Sequence, residues 1–265
     1  MDPLLPAFPP VADPYSFREL SADDAYATWG ALRTHSLRWH PDADLDGQLR
    51  RWELTGAGDR ETAAMVTVPS RAVAAAEVLA RHGFTPMLVT AVRRGGRPGG
   101  RPASDVVVRR ATEADVDFAA ALSLETARYD SRFGMVTERP STAARLREEV
   151  EVRMTWDDPG TWVAERDGVP LGVLYYDLPP HSDPMVPLTC LSKIAYLSLL
   201  GVSEAARSTG VGSALAARAH QELEDAGVES TLLHHTLPNP RSTPFWYSHG
   251  YRPLWTTWQR RPALA

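Results

Sequence analysis

Arg207-Ser208-Thr209-Gly210-Val211-Gly212-Ser213 is the stretch whose reading decides the fold. Ile194 to Val202 precedes it and is apolar enough for a buried strand. Ala214 to Glu224 follows it and is rich in good helix formers. A strand, a glycine turn and a helix start together make a phosphate cradle. The first helical N–H groups have no partner inside the helix, and the helix dipole is positive there. Gly210 and Gly212 lack Cβ, so a ligand can approach the backbone closely. The dinucleotide pattern G-x-G-x-x-G fails, because Leu215 stands where its third glycine belongs. The nucleotide-hydrolase phosphate loop fails too, because no Gly-Lys-[Ser/Thr] follows. An ordinary strand-to-helix turn is the plain alternative.

Composition narrows the function classes. A chain of 265 residues holds one or two domains and enough apolar material for a core. A net charge of −5 argues against a general nucleic-acid binder and is mildly compatible with a cationic amine substrate. Cys190 is the single cysteine, which excludes an internal disulfide and a cysteine-rich metal site, and its expected place is a small buried apolar one. Met1 to Tyr15 is proline-rich and does not read as a signal peptide. No apolar run reaches membrane-spanning length, so the cytoplasm is the expected compartment.

Arg93 to Ser104 reads RRGGRPGGRPAS, a linker composition. It divides the chain into residues 1–94, a linker at 95–104, and residues 105–265. The two parts resemble each other. Arg18 to Asp24 corresponds to Arg109 to Asp115, each a strand end with a Ser or Thr N-cap and an acidic residue three positions on. Thr67-Val68-Pro69-Ser70 corresponds to Thr236-Leu237-Pro238-Asn239. His82-Gly83-Phe84-Thr85-Pro86 matches His249-Gly250-Tyr251-Arg252-Pro253. On this alignment the first copy lacks a block from its middle, containing the hairpin, the long strand and the glycine loop. In the second copy, Val106 to Arg109 is a strand, and Thr112 to Arg128 and Arg139 to Met154 are helices. Thr161 to Glu165 and Leu171 to Asp177 form a hairpin around Asp167-Gly168. Ser230 to Thr236 and Leu254 to Arg260 are strands, with a helix ending at Gly250 between them.

Arg-x-x-Gly-x-Gly, five residues after Val202 and between strand and helix, resembles the pyrophosphate loop of the GNAT acyl-CoA N-acyltransferase superfamily. The element order from Asp105 to Arg261 resembles the GNAT order as well. The resemblance implies an α/β fold, of the α+β kind: a mixed, mostly antiparallel twisted sheet flanked by helices, with a smaller, truncated, non-catalytic GNAT-like N-terminal domain. It implies an N-acetyltransferase that moves an acetyl group from acetyl-CoA to an amine of a small molecule or peptide by direct attack. No metal, nucleic-acid or membrane partner is expected, and a homodimer stays open. A non-catalytic acyl-CoA binder is the alternative from another class.

The resemblance assigns residues by position. The backbone of Ser208, Thr209, Gly210, Val211, Gly212 and Ser213 would surround the pyrophosphate, with the charge of Arg207 nearby. The backbones of Leu200, Gly201 and Val202 would pair with pantetheine where a bulge splays the strand, and the N–H near Leu200 would face the thioester oxygen. Gly201 fits either a bulge or a close backbone approach. Family members often carry Glu or His on this strand; here those positions are Tyr196 and Ser198, which alternate onto one face. His234 or His235 is a further candidate base, one facing in and the other lying at the surface. Asp177 and His181 could line the amine pocket. Asn239 would bond the pantetheine arm, cap a helix, or both. Trp246 falls where the family has its thiolate-protonating Tyr, and its indole N–H cannot shuttle a proton in that way. Tyr247 lies about 100° further round the helix.

One rival string remains. Asp42-Ala43-Asp44-Leu45-Asp46-Gly47 with Glu53 fits an EF-hand calcium loop, against an acidic N-cap opening a short helix through Trp52.

Overall fold

A computed structural model describes residues 2–9, 12–96, 105–158 and 160–264. The linker expected at 95–104 lies outside the described residues from 97 onward.

The second part follows the expected order. The first part contains β1 (Tyr15–Glu19), β2 (Arg33–Arg38), α1 (Leu45–Arg51), β3 (Thr62–Pro69), α2 (Val73–Arg81) and β4 (Thr85–Arg94). The second contains β5 (Val107–Arg110), α3 (Val116–Asp130), α4 (Thr142–Met154), β6 (Thr161–Arg166), β7 (Val169–Asp177), β8 (Ile194–Val202), α5 (Val211–Asp225), β9 (Ser230–Thr236), α6 (Ser242–Ser248) and β10 (Arg252–Arg260). Asp167 (φ 52°) and Gly168 (φ 75°) both turn left-handed, as the tight β6–β7 hairpin requires. Helix α5 buries Val211, Ala214, Leu215, Ala219 and Leu223, a stripe at helical spacing laid against β6, β7 and β8.

All ten strands form one sheet, in the order β1-β2-β3-β10-β4-β9-β8-β7-β6-β5. It is mostly antiparallel, with two parallel contacts, β2 with β3 and β8 with β9. The last strand of each part is exchanged: β10 pairs with β3 of the first part, and β4 pairs with β9 of the second. β4 and β10 pair antiparallel with each other at the join. The strand register therefore places C-terminal residues 252–260 inside the first part's half of the sheet.

This topology corrects the repeat alignment. The sequence β1–β2–α1–β3–α2–β4 has the pairings and order of β7–β8–α5–β9–α6–β10. The matches at Thr67 to Ser70 and His82 to Pro86 fall on equivalent strand and helix ends. The match of Arg18–Asp24 to Arg109–Asp115 does not, because β1 is the counterpart of β7 and not of β5. What the first copy lacks is the opening β5–α3–α4–β6 block; its long strand is β2. Asp24 accepts from Tyr26 N–H and leads only into a short 3-10 turn at Ala27–Trp29. Two features of the second copy do have no counterpart. β2 and β3 pair from Arg33/Thr62 to Arg38/Thr67, so the strands never part. The connection from Trp39 to Asp44 contains no glycine.

The core follows the sheet. One cluster packs α5 and α6 on β6 to β9, around Leu174, Leu197, Leu215 and Trp246. A second packs α1 and α2 on β2 and β3, around Leu37, Val66 and Leu79. Complete burial of such a side chain contributes about 1.5–3 kcal/mol. Cys190 departs from expectation: it is exposed, and Sγ donates to Pro3 O. Among the described residues, no helix is long and apolar enough to cross a membrane.

The capping box read at Thr112 is formed, and Asp115 is its acidic member. Arg109 donates two hydrogen bonds to Asp115, and Thr112 donates from both N–H and hydroxyl. The Arg109 guanidinium is the largest influence, and with Thr112 it holds the buried Asp115 carboxyl down to about 2 against the opposing effect of burial. A depressed carboxyl stabilises the fold above its unfolded pKa and stops doing so as pH falls through the folded value. Asp115→Asn is expected to cost about 2 kcal/mol at pH 7. In urea titrations the gap between the variants should close between about pH 4 and pH 2. A gap that is constant with pH would contradict the assignment.

Candidate active site

The site is a fork in the sheet. β8 and β9 pair in parallel from Ile194/Ser230 to Leu197/Leu233, and there the pairing stops. At the same level the β7 partners jump from Leu197 to Leu199, leaving Ser198 as an extra residue. The bulge is thus at Ser198, not at Gly201. Gly201 has the other role foreseen for it, a close approach: a Cβ there would lie 2.7 Å from Thr126 Oγ1 on α3. Ser203 N–H bonds Leu171 O. By strand alternation Leu199 and Gly201 then turn their peptide groups to β7, and Leu200 and Val202 turn theirs into the fork.

The glycine loop sits at the fork's mouth. Ser208 (φ 63°) and Gly210 (φ 91°) are both left-handed, and Gly210 leads into α5. The N–H groups of Val211, Gly212 and Ser213 open the helix, and that of Ala214 is the first to bond within it, to Gly210 O. Gly212 has a packing reason as well, since a Cβ there would lie 3.3 Å from the Phe245 ring. Arg207 is a brace more than a free cation. Its Nε donates to Val202 O at 3.1 Å, and a terminal nitrogen donates to Glu125 on α3 at 2.6 Å.

Loop and fork open into one cleft of about 1160 Å³, bounded also by α3, α4 and the first part of the chain. Tyr196, Ser198, His234, His235, Asp177, His181, Asn239 and Trp246 all line it. Tyr196 and His234 meet across β8 and β9, with the Tyr hydroxyl 3.0 Å from His234 Nδ1. Burial first, and then His235 beside it, bring His234 down to about 4, so the ring is neutral at pH 7. Burial is also the main reason the Tyr196 phenol is pushed up, so it keeps its proton. His235 is no surface residue. β9 is an interior strand paired on its far side by β4, so both of its histidine positions are enclosed. Ser198 accepts from Arg153 at 3.1 Å, and Arg153 also donates to Asp177 at 2.5 Å. This buried arginine on α4 thus ties β7 to the bulge of β8. Glu149, one turn earlier, lies 3.8 Å from Arg153 and lines the same chamber. Sequence reading missed both. Their only signal was a four-residue spacing in a helix with charges all round.

Residues 132–251 match the Acetyltransferase (GNAT) family. This part of the chain belongs to the GNAT superfamily. A GCN5-related N-acetyltransferase from Sphaerobacter thermophilus shares the fold with a TM-score of 0.61 at 13% identity, covering 93% of this chain and 76% of that one. A GCN5-related N-acetyltransferase from Kribbella flavida has a TM-score of 0.52 at 17% identity, covering 94% and 86%. A glucosamine N-acetyltransferase region of a fungal multi-domain β-N-acetylglucosaminidase has a TM-score of 0.54 at 12% identity, covering 92% and 30%. No curated protein sequence matches the chain.

Within the GNAT part, Asn239 acts as a cap. Its Oδ1 accepts from Arg241 and Ser242 N–H, and its Nδ2 donates to Asp130 at 2.7 Å. One amide hydrogen is left for a ligand. Burial pushes the Asp130 carboxyl up, and the Asn239 donation opposes this. Trp246 is buried edge-on to Tyr251, whereas Tyr247 is half-exposed and packs edge-on to His235. The calcium string folds as its plain alternative, with Asp44 accepting from Gly47 N–H to cap α1. Asp46 bonds His82 and Arg50. The string is thus a capped helix start, with α1 running from Leu45 to Arg51. Among the described residues, no three His, Cys, Asp or Glu side chains stand together to hold a metal.

Proposed function

We propose that this cleft transfers an acetyl group from acetyl-CoA to an amine of a small molecule or peptide by direct attack. The observation that carries the proposal is the fork of β8 and β9 opening beside the N-terminus of α5 within a single cleft. The Leu200 peptide groups and the Val202 N–H, turned into the fork while Val202 O is held by Arg207, suit a pantetheine arm lying along the fork like an added strand. The N–H groups that open α5, with Gly210 turned left-handed, suit a diphosphate. The first part of the chain has a zipped strand pair and no glycine loop, so in this reading it is non-catalytic and serves as a wall of the acceptor chamber.

Tyr196 and His234 take the place of the acid that Trp246 does not provide. With Tyr196 keeping its proton and donating to Nδ1, neutral His234 carries its proton on Nε2 and can donate a hydrogen bond from there to a departing thiolate. Ser198, held by Arg153, is a positioning residue of the bulge. The test is thiol release from acetyl-CoA over a panel of amines. His234→Gln is expected to lower kcat by about 100-fold with coenzyme A affinity unchanged, and Tyr196→Phe by about 10-fold. Full activity in His234→Gln would remove it from the mechanism. Trp246 motivates a second reading, a non-catalytic acyl-CoA binder. Tight coenzyme A binding without turnover on any amine would favour it.

A further inference from the structure

Four described carboxylates line the cleft: Asp130, Glu148, Glu149 and Asp177. Asp130 accepts from Asn239, Glu148 from Arg145, and Asp177 from Arg153. Glu149 accepts no hydrogen bond among the described residues; its nearest cation, Arg153, is 3.8 Å away and already bound to Asp177 and Ser198. Arg145 bonds Glu148, Arg153 bonds Asp177 and the neutral Asn239 bonds Asp130, so of the four Glu149 is the carboxylate left without a hydrogen-bond donor among the described residues. About half of that side chain is open to the chamber.

Aromatic side chains supply a second recognition element. Trp156 is already engaged: His181 stacks on it at 3.5 Å and the Arg153 guanidinium lies 4.8 Å from its centre. Trp29 and Tyr26 of the first part also line the cleft and are 40% and 67% exposed. Their segment is fastened to α4: Arg139 donates to Ala27 O and Gly30 O, Thr28 and Thr142 share a hydrogen bond, and Arg145 donates to Asp23 O. The segment that carries the rings is therefore anchored to α4 and the turn before it, the helix that also carries Glu149.

We propose that Glu149 receives the ammonium group of the acceptor and takes its proton, and that the acceptor is a primary amine on an apolar or aromatic body that lies against Trp29 and Tyr26. This rests on the acetyl-transfer reading. One ammonium proton passes to a Glu149 carboxylate oxygen. The freed lone pair forms the C–N bond to the acetyl carbon, and the C–S bond breaks with its electrons going to sulfur. A second nitrogen-bound proton is then lost and sulfur gains one, giving amide and thiol. Burial raises the Glu149 carboxyl and Asp177 adds to this, while Arg153 opposes it. Tyr175 and Tyr196 face it from β7 and β8 and stay protonated. His181 and the Glu148–Arg145 pair line the same chamber, as do Asp130, Arg207, Arg241, His234 and His235.

The experiment uses the full chain saturated with coenzyme A, titrated by calorimetry with 2-phenylethylamine and with neutral 2-phenylethanol. The amine should bind at least 10-fold tighter than the alcohol. Glu149→Gln should abolish that preference, and Trp29→Ala should weaken both ligands alike. In thiol release with acetyl-CoA, Glu149→Gln should lower kcat/KM by about 100-fold. It should also remove the fall in kcat/KM on the acid side, which lies above the ordinary glutamate range in the wild type. Unchanged preference and pH profile in Glu149→Gln, with the same melting temperature, overturn the proposal. So does a wild type that binds coenzyme A but no amine. Amine binding that depends on Glu149 without thiol release defeats acetyl transfer and, with it, the proton-transfer role.

Discussion

Gly210→Val should lower coenzyme A affinity by at least about 100-fold and leave the protein folded. Gly210 has φ 91° and ψ −10°, where a β-branched residue is a genuine outlier. The loop can relieve that strain only by rotating the peptide groups on either side, and those are the groups proposed to hold the diphosphate. Each charge-assisted hydrogen bond lost from such a site is worth roughly 1.5–3 kcal/mol, so losing two gives about 100-fold or more. Gly212→Ala is the contrasting variant. Its Cβ would press on the Phe245 ring at 3.3 Å, which α6 can absorb, and the expected loss is a few-fold. Calorimetry with coenzyme A reads both. An affinity for the Gly210 variant within threefold of wild type would mean that the loop does not hold the ligand.

Arg153→Met should cost about 3–5 kcal/mol, a large part of the stability of an ordinary domain. Arg153 and Asp177 are 3% and 7% exposed, so removing the guanidinium strands the carboxylate in the interior. It also releases Ser198 and so loosens the bulge at the point where the strands part. Urea unfolding followed by tryptophan fluorescence measures the loss. Adding Asp177→Asn to the same chain should recover most of it, because the cost comes from the unpaired charge rather than from the missing pair. A single-variant loss under about 1 kcal/mol would show that water reaches this pair.

Much of the fold was legible because its signals are local. The Asp167-Gly168 hairpin, the Thr112 capping box and the glycine loop each follow from the backbone needs of a few neighbouring residues. The repeat was legible at its helix C-termini, where Gly83 after His82 and Gly250 after His249 turn left-handed in the same way. Its beginning was misaligned because a Ser or Thr with an acidic residue three positions on recurs at any turn, whereas strand partnership is a long-range property. The bulge at Ser198 was invisible for a similar reason: register depends on β7, and the β8 sequence alternates smoothly through it. Tyr196 and His234 were named separately from strand position, but their 3.0 Å contact depends on the parallel register of two strands 38 residues apart. Arg153 and Glu149 lie on a helix whose charges look like an ordinary solvated face.

The exchanged strands have a consequence for any attempt to simplify the molecule. Severing the chain between its two parts and discarding the first would strip β9 of one neighbour and leave β10 with none. Bare, long, apolar strand margins of that kind are templates for aggregation. The shorter part is the plug that seals the margin of the half holding the cleft and stiffens one arm of its fork.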